Sequence, residues 1–256
     1  MANGSFLALA LSRLGDVLFL ERPYVYSGRS FLRKYQPMST KAETGHVCNE
    51  DMRTKALEIL LNGGLVALPT DTVYGLAALP WDIDAVTRLY EAKQRPADKA
   101  IPLLLSDADQ IGPVTTLFAR LETCVRELIS RFWPGGLTLI LPKSPKVPDV
   151  ISTTPTVALR VPDHNLTRDI IAQSGGALAV TSANISGQLA PITAQEVEKQ
   201  LGKRIDFILD GGPSKGGMPS TILDCTDLPP TLLRRGAISE KDLRAVIGPI
   251  IGTKKS

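Results

Sequence analysis

From about residue 50 onward, apolar positions alternate between helical and strand spacing. "DMRTKALEILLNGG" sets Ala56, Ile59 and Leu60 on one helical face and closes in glycines, the pattern of an amphipathic helix. "LVALP" reads as a short buried strand, and a second apolar run follows it after Thr70, Asp71, Thr72, Tyr74 and Gly75. "DIDAVTRLYEAK" predicts a helix capped by Asp82. A strand at "IPLLL", a long helix in "LFARLETCVRELISRFW", strands at "LTLILP" and "TVALRVP", a helix around "NLTRDIIAQSG" and a strand at "ALAV" come next. "TAQEVEKQLG" opens with Thr193 and Glu196 in capping-box spacing and ends at Gly202. "IDFILD", "STILDC" and "TLLR" read as strands, and "SEKDLRAVIG" as a last capped helix. This alternation predicts a single α/β domain, residues 46–256, with helices flanking the sheet. Three late strands joined by short links make that sheet mixed, parallel and antiparallel.

The first 45 residues break the pattern. Leu7, Leu11, Leu14 and Leu18 recur at helical spacing, and Arg22, Arg29, Arg33 and Lys34 follow among serines and tyrosines. Arg13 and Asp16 spoil the segment as a secretory core, so it reads as a leader of the mitochondrial or chloroplast transit type, with an unaddressed cytoplasmic extension as the alternative. Six basic and three acidic residues here supply the whole net charge of +3. The 23 basic and 23 acidic residues that remain cancel, so any phosphate or nucleic-acid binding has to come from a local patch. Apolar runs fall short of the roughly 18 residues of a membrane span. Three cysteines without paired spacing and two histidines argue against a disulfide framework, a zinc ribbon, a histidine-rich metal site and a Ser/His/Asp triad.

Polar chemistry gathers in four stretches, each with an ordinary alternative. Thr72, Tyr74 and Gly75 suit a ligand loop and a hydrogen-bonded turn equally. In "KQRPADK", Pro96 biases Arg95 away from helix, and in extended chain Lys93 and Arg95 would project to one side. Cations this close suit a polyphosphate, although most such clusters are solvated loops. "LAVTSANISG" places Thr181, Ser182 and Asn184 after a four-residue strand, as neutral donors and acceptors or as a turn. Ser220, Thr221, Arg234 and Arg235 lie in "GMPSTI" and "LLRRGAI", after "DGGPSKGG", which reads as a flexible connection or a lid. Arg160, ending "TVALR", needs an anion if buried, from a neighbouring carboxylate or from a ligand.

In order, "PTDTVYGL", "KQRP.DK", "TVALRVP", "TSAN.SG", "STI.D" and "LLR.G" resemble the YrdC-like family of threonylcarbamoyl-AMP synthases, from about Leu57 to Ile247. The resemblance implies a twisted mixed α/β sheet with a positively charged concave face. It also implies a reaction in which L-threonine, bicarbonate and ATP give L-threonylcarbamoyladenylate and pyrophosphate. A downstream threonylcarbamoyl transferase then modifies adenosine 37 of tRNA. By the same resemblance Thr72, Arg160, Ser220 and the backbone at Val180 would contact threonine. Lys93, Arg95, Lys99, Thr156, Ser182, Asn184 and Arg234 would hold ATP, with Lys93, Arg95 and Arg234 as the catalytic cations. Some relatives have asparagine at Lys99 and histidine at Leu104, and others a lysine and an apolar residue, a subgroup difference that bears on what finishes the threonine pocket. Where some have serine this chain has Ala190, so a contact there would use the backbone.

The implied chemistry is an N-carboxylated threonine attacking the α-phosphorus. Charge develops on phosphoryl oxygens, where prepositioned cations and Mg²⁺ would act. It asks for no histidine base, and none stands near these motifs in sequence. A second reading is a module that binds tRNA or double-stranded RNA without making an adenylate. A third is the carbamoyl transfer of hydrogenase-maturation proteins, whose zinc-binding and acylphosphatase segments have no match here.

Overall fold

The computed structural model describes residues 43–45, 50–116 and 119–252. The expected leader lies outside these except for Glu43–Gly45, which forms β1 at the edge of the sheet. The further strands are β2 (Val66–Leu68), β3 (Gly75–Ala78), β4 (Leu103–Leu105), β5 (Leu137–Pro142), β6 (Thr156–Arg160), β7 (Ala177–Ser182), β8 (Phe207–Leu209), β9 (Thr221–Asp224) and β10 (Thr231–Arg234). They form one ten-stranded sheet in the order β1-β8-β2-β3-β7-β4-β6-β5-β9-β10. Pairing is mixed: β2 with β8, β4 with β6 and β5 with β9 are parallel, and β2–β3, β3–β7, β4–β7, β5–β6 and β9–β10 antiparallel. The mixed α/β expectation therefore holds.

The helices are α1 (Glu50–Leu61), α2 (Ile83–Lys93), α3 (Ala119–Phe132), α4 (Asn165–Gln173), α5 (Ala194–Leu201) and α6 (Glu240–Ile247). The starts of α2, α5 and α6 obey the capping chemistry: Asp82, Thr193 and Ser239 each accept from a backbone N–H one turn in. In the box at Thr193, Glu196 reaches back to the N–H of Ile192, one residue earlier than the usual partner. None of the described helices is long and apolar enough to cross a membrane.

What positions the site is an asymmetry between the sheet's two faces. One face carries Leu76, Leu103, Leu139, Leu159, Ala179, Leu223 and Leu232, and it is covered from end to end by α2, α3, α5 and α6. The other carries Val66, Leu68, Ala77, Leu104, Leu178 and Val180, beneath α1 and α4 alone among the described helices. That second cluster takes nothing from β6, β5, β9 or β10. Strand alternation puts Thr156, Ala158 and Arg160, then Thr138, Ile140 and Ile222, on the half so left. Most of these are half-exposed, whereas the opposite positions are fully buried.

Candidate active site

The candidate residues collect on this open half-face and along one of its borders, at two levels. Gly75 of β3 faces Ser182 of β7, while Leu104 of β4 lies between Leu178 of β7 and Arg160 of β6. Arg160 is thus level with a residue four positions before Ser182, about 13 Å along the strands at the usual rise. Arg160 ends β6, as the sequence pattern implied. It points from the sheet's face, and the loop between β2 and β3 folds over to reach it.

That loop is held by its own hydroxyl. Thr70 Oγ1 donates to Val73 O at 2.7 Å and accepts from the N–H groups of Thr72 and Val73. Asp71 and Thr72 are thereby turned onto Arg160, whose Nη2 lies 2.5 Å from Asp71 Oδ1 and whose Nη1 lies 3.0 Å from Thr72 Oγ1. Arg160 Nε donates to Gly135 O at 2.8 Å. Its anion is therefore a neighbouring carboxylate, and two of its five N–H groups remain for a ligand. Burial lowers the Arg160 pKa more than Asp71 restores it.

Beside this pair stand Ser220 and Arg234. The guanidinium donates from Nε and Nη2 to Ser220 O at 3.0 and 2.8 Å, and from Nη2 to Ser220 Oγ at 3.1 Å. Regular alternation from the buried Leu232 would turn Arg234 towards the covered face. A bulge shifts the register between Leu232 and Arg234, so that Arg234 faces Ile222 and joins the open face, leaving Leu233 48% exposed. Burial, and then the charge of Arg160, lower the Arg234 pKa. The two cations therefore share one neighbourhood.

The second level differs from the sequence reading. Lys93 lies in no extended stretch: it is the last residue of α2, and the chain reverses at Gln94 in the left-handed region, φ +51°. Lys93 is 1% exposed, and its ammonium donates to Ser182 O, to Asn184 O at 2.6 Å and more distantly to Asn184 Oδ1. Burial, with Arg95 nearby, pushes its pKa down to about 7. Arg95 donates to Lys99 O and Ala100 O at the entrance to β4, while the Lys99 residue itself is exposed. Thr156 opens β6, its hydroxyl 2.9 Å from that of Thr154. Thr181 and Ser182 belong to β7 itself, which is two residues longer than expected.

Several assignments change in this light. The Asn184 side chain is fully engaged within its loop, its amide donating to Ile185 O and Gln188 O and its oxygen accepting from Ser182. It shapes the site and has no amide hydrogen left for ATP. Val180 N–H is committed to Pro102 O. Tyr74 is fully buried and donates to Gly212 O, so the phenol is structural. The glycine-rich stretch after β8 is tied down, Ser214 N–H to Ile192 O and Gly217 N–H to Thr72 O. Gly216 packs so closely that a Cβ there would stand 2.6 Å from Asp71 O. Leu104 is buried under α4. His164, four residues after Arg160, lies near Asp71 and Lys215, and burial lowers its pKa. A histidine does approach the site, contrary to the sequence reading.

The sequence model of Sua5/YciO/YrdC, described as telomere recombination, matches residues 58–236. The chain belongs to the Sua5/YciO/YrdC family. Among its relatives, the threonylcarbamoyl-AMP synthase of Bacillus subtilis is 43% identical over 79% of this chain and 58% of its own length. That of Pyrococcus abyssi is 41% identical over 76% of this chain and 57% of its own. The chain thus spans under two thirds of both. A crystal structure of P. abyssi Sua5 complexed with L-threonine superimposes with a TM-score of 0.76 at 38% identity, covering 83% of this chain and 62% of that one. Escherichia coli YciO, 23% identical, shares the fold with a TM-score of 0.70. Within this Sua5/YciO/YrdC fold, sequence reasoning passed over Asp71 as a partner for Arg160 and missed Thr138 beside Ser220. Both contacts cross more than 80 residues and leave no local pattern.

Proposed function

We propose that the chain is a threonylcarbamoyl-AMP synthase, converting L-threonine, bicarbonate and ATP to L-threonylcarbamoyladenylate and pyrophosphate. The observation that carries this reading is the pair of levels on the open half-face. Arg160, Thr72, Ser220 and Arg234 make one level, and Arg95, Lys99, Thr156 and Ser182 the other, with Lys93 beneath. The first offers arginine N–H groups and two hydroxyls to a small zwitterion. The second offers cations and hydroxyls to a polyphosphate. The likeness to P. abyssi Sua5, crystallised with L-threonine, and the activity in the relatives' names support the same assignment.

The residues act by binding and charge stabilisation. Arg160 holds the threonine carboxylate with its remaining N–H groups, while Thr72 and Ser220 orient the rest of the molecule. Once the amine has taken up carbon dioxide with loss of a proton, or bicarbonate with loss of water, the carbamate oxygen attacks the α-phosphorus and pyrophosphate leaves. Arg95, Lys99 and Arg234 stabilise the charge that collects on the phosphoryl oxygens. Among the described residues no group of three or more His, Cys, Asp or Glu could hold a metal ion. Mg²⁺ belongs to this proposal only as the counter-ion that ATP brings. The product would pass to a threonylcarbamoyl transferase acting on tRNA, and a leader in residues 1–45 would direct the protein to an organelle.

The test is pyrophosphate release by the full chain. Release from ATP is expected only when threonine and bicarbonate are both present. Release indifferent to threonine would refute the substrate.

A further inference from the structure

The half-face contains a buried hydroxyl to which neither the sequence motifs nor the roles above give a part. Thr138 of β5 lies one residue beyond the Leu139–Leu159 pair, beside Arg160, and faces Ile222, as Arg234 does from the other side. It is 2% exposed, and its Oγ1 lies 2.8 Å from Ser220 Oγ, itself only 7% exposed. Either oxygen could donate in that contact when it is viewed alone. Its surroundings decide the direction.

A hydroxyl has one proton to give and two lone pairs to receive. Ser220 Oγ already receives an N–H from Arg234 at 3.1 Å. Either direction leaves one of the two protons without an acceptor among the described residues. Were Ser220 to donate, it would be that of Thr138, the more deeply buried of the two, whose hydroxyl has Ser220 as its one partner there. A buried donor without an acceptor is strongly disfavoured. Thr138 therefore donates, both lone pairs of Ser220 are filled, and the Ser220 proton is left to point out of the network. Ser220 is fixed as a donor.

We infer that Thr138 is a specificity-determining positioning residue: by donating to Ser220 Oγ it makes Ser220 present its own proton to an oxygen of the amino-acid substrate. The inference rests on the reading of this level as the threonine site. A ligand oxygen, from a carboxylate or a hydroxyl, is welcome at Ser220, and an ammonium group is turned away because no lone pair faces it. Thr138 touches no substrate and acts through its neighbour alone.

Thr138→Val keeps the branched shape and removes the proton. It should raise the KM for threonine about tenfold, the effect of one lost hydrogen bond of about 1.4 kcal/mol, and leave the KM for ATP within about twofold. Thr138→Ser, which retains the hydroxyl, should restore threonine use. In a Ser220→Ala background, Thr138→Val should add nothing, because the group it acts through is gone. An equal rise in both KM values, or an effect additive with Ser220→Ala, would overturn the inference while leaving the synthase reading intact. The polarity can also be read without substrate. Proton NMR of the unliganded protein should show a slowly exchanging Thr138 hydroxyl proton, with Ser220 exchanging fast. The reverse order would sink the inference even if pyrophosphate release is threonine-dependent. The expected order with threonine-independent release would instead place the failure in the substrate assignment.

Discussion

Arg160 and Asp71 show how one residue serves stability and recognition together. The pair is nearly buried, with side chains 7% and 18% exposed, and removing one partner of such a pair leaves a charge without compensation. Arg160→Ala is expected to lower unfolding free energy by about 3 kcal/mol in urea titrations and to abolish threonine-dependent turnover. Adding Asp71→Asn should recover part of the stability and none of the turnover, which separates the two roles. Arg95→Ala should act on the other substrate, raising the KM for ATP about tenfold or more with threonine unaffected. Unchanged ATP use would remove Arg95 from the phosphate level. Lys93 adds a pH signature. Its pKa falls from 10.5 to about 7 on folding, so between those values the unfolded chain holds the extra proton and stability rises with pH. The slope disappears below pH 7, where both states are protonated. Polyphosphate bound nearby would raise that pKa again. At pH 8, ATP binding measured calorimetrically in two buffers of different ionisation enthalpy should show uptake approaching about one proton, and Lys93→Met should lose it. Buffer-independent heats would mean that no phosphate reaches this ammonium.

Among the elements, the segment that follows β10 bends back over the start of β9, beside Ser220 and Arg234. A Cβ on Gly236 would stand 2.3 Å from Pro219 O and 2.4 Å from the Ser220 carbonyl carbon, both backbone atoms that cannot step aside. Gly236→Ala is therefore expected to cost about 2–4 kcal/mol of stability, seen as a lower Tm, and to weaken threonine use at least as much as ATP use. A variant with unchanged Tm would show that the turn has slack. Gly236 was visible in the motif, but its reason was not, because the close approach is to Pro219 and Ser220, sixteen and more residues earlier in the chain. The same division runs through the fold. Helix starts were legible because a cap and its N–H lie three residues apart, as at Asp82, Thr193 and Ser239. Strands were legible from apolar runs, except β1 at Glu43–Gly45, which has no apolar residue. The end of α2 at Lys93 was legible, but the extended reading that set Lys93 beside Arg95 was not met, because the chain turns at a left-handed Gln94 before Pro96 acts on Arg95. The bulge before Arg234 had no local mark, and alternation alone would have pointed that cation into the core.

For the molecule as a whole, the sheet is covered on one face and only half covered on the other, and the open half is where cations with few carboxylates gather. Basic and acidic residues balance outside the first 45 positions, so a general attraction for nucleic acid has no source in the domain. This bears on the rival reading, in which the protein is an RNA-binding module. RNA held by the domain would have to use the cations of the open half-face, where ATP is proposed to bind. It would then compete with ATP for Arg95, Lys99 and Arg234, and its affinity would fall steeply between about 50 and 200 mM salt. In a fluorescence titration of tRNA against the full chain, saturating ATP with threonine should displace the RNA, and Arg95→Ala should weaken both ligands. If tRNA binds equally well with the substrates present, the two ligands occupy different surfaces. The open half-face then belongs to the adenylate chemistry alone, and the basic first 45 residues become the next place to seek the RNA contact.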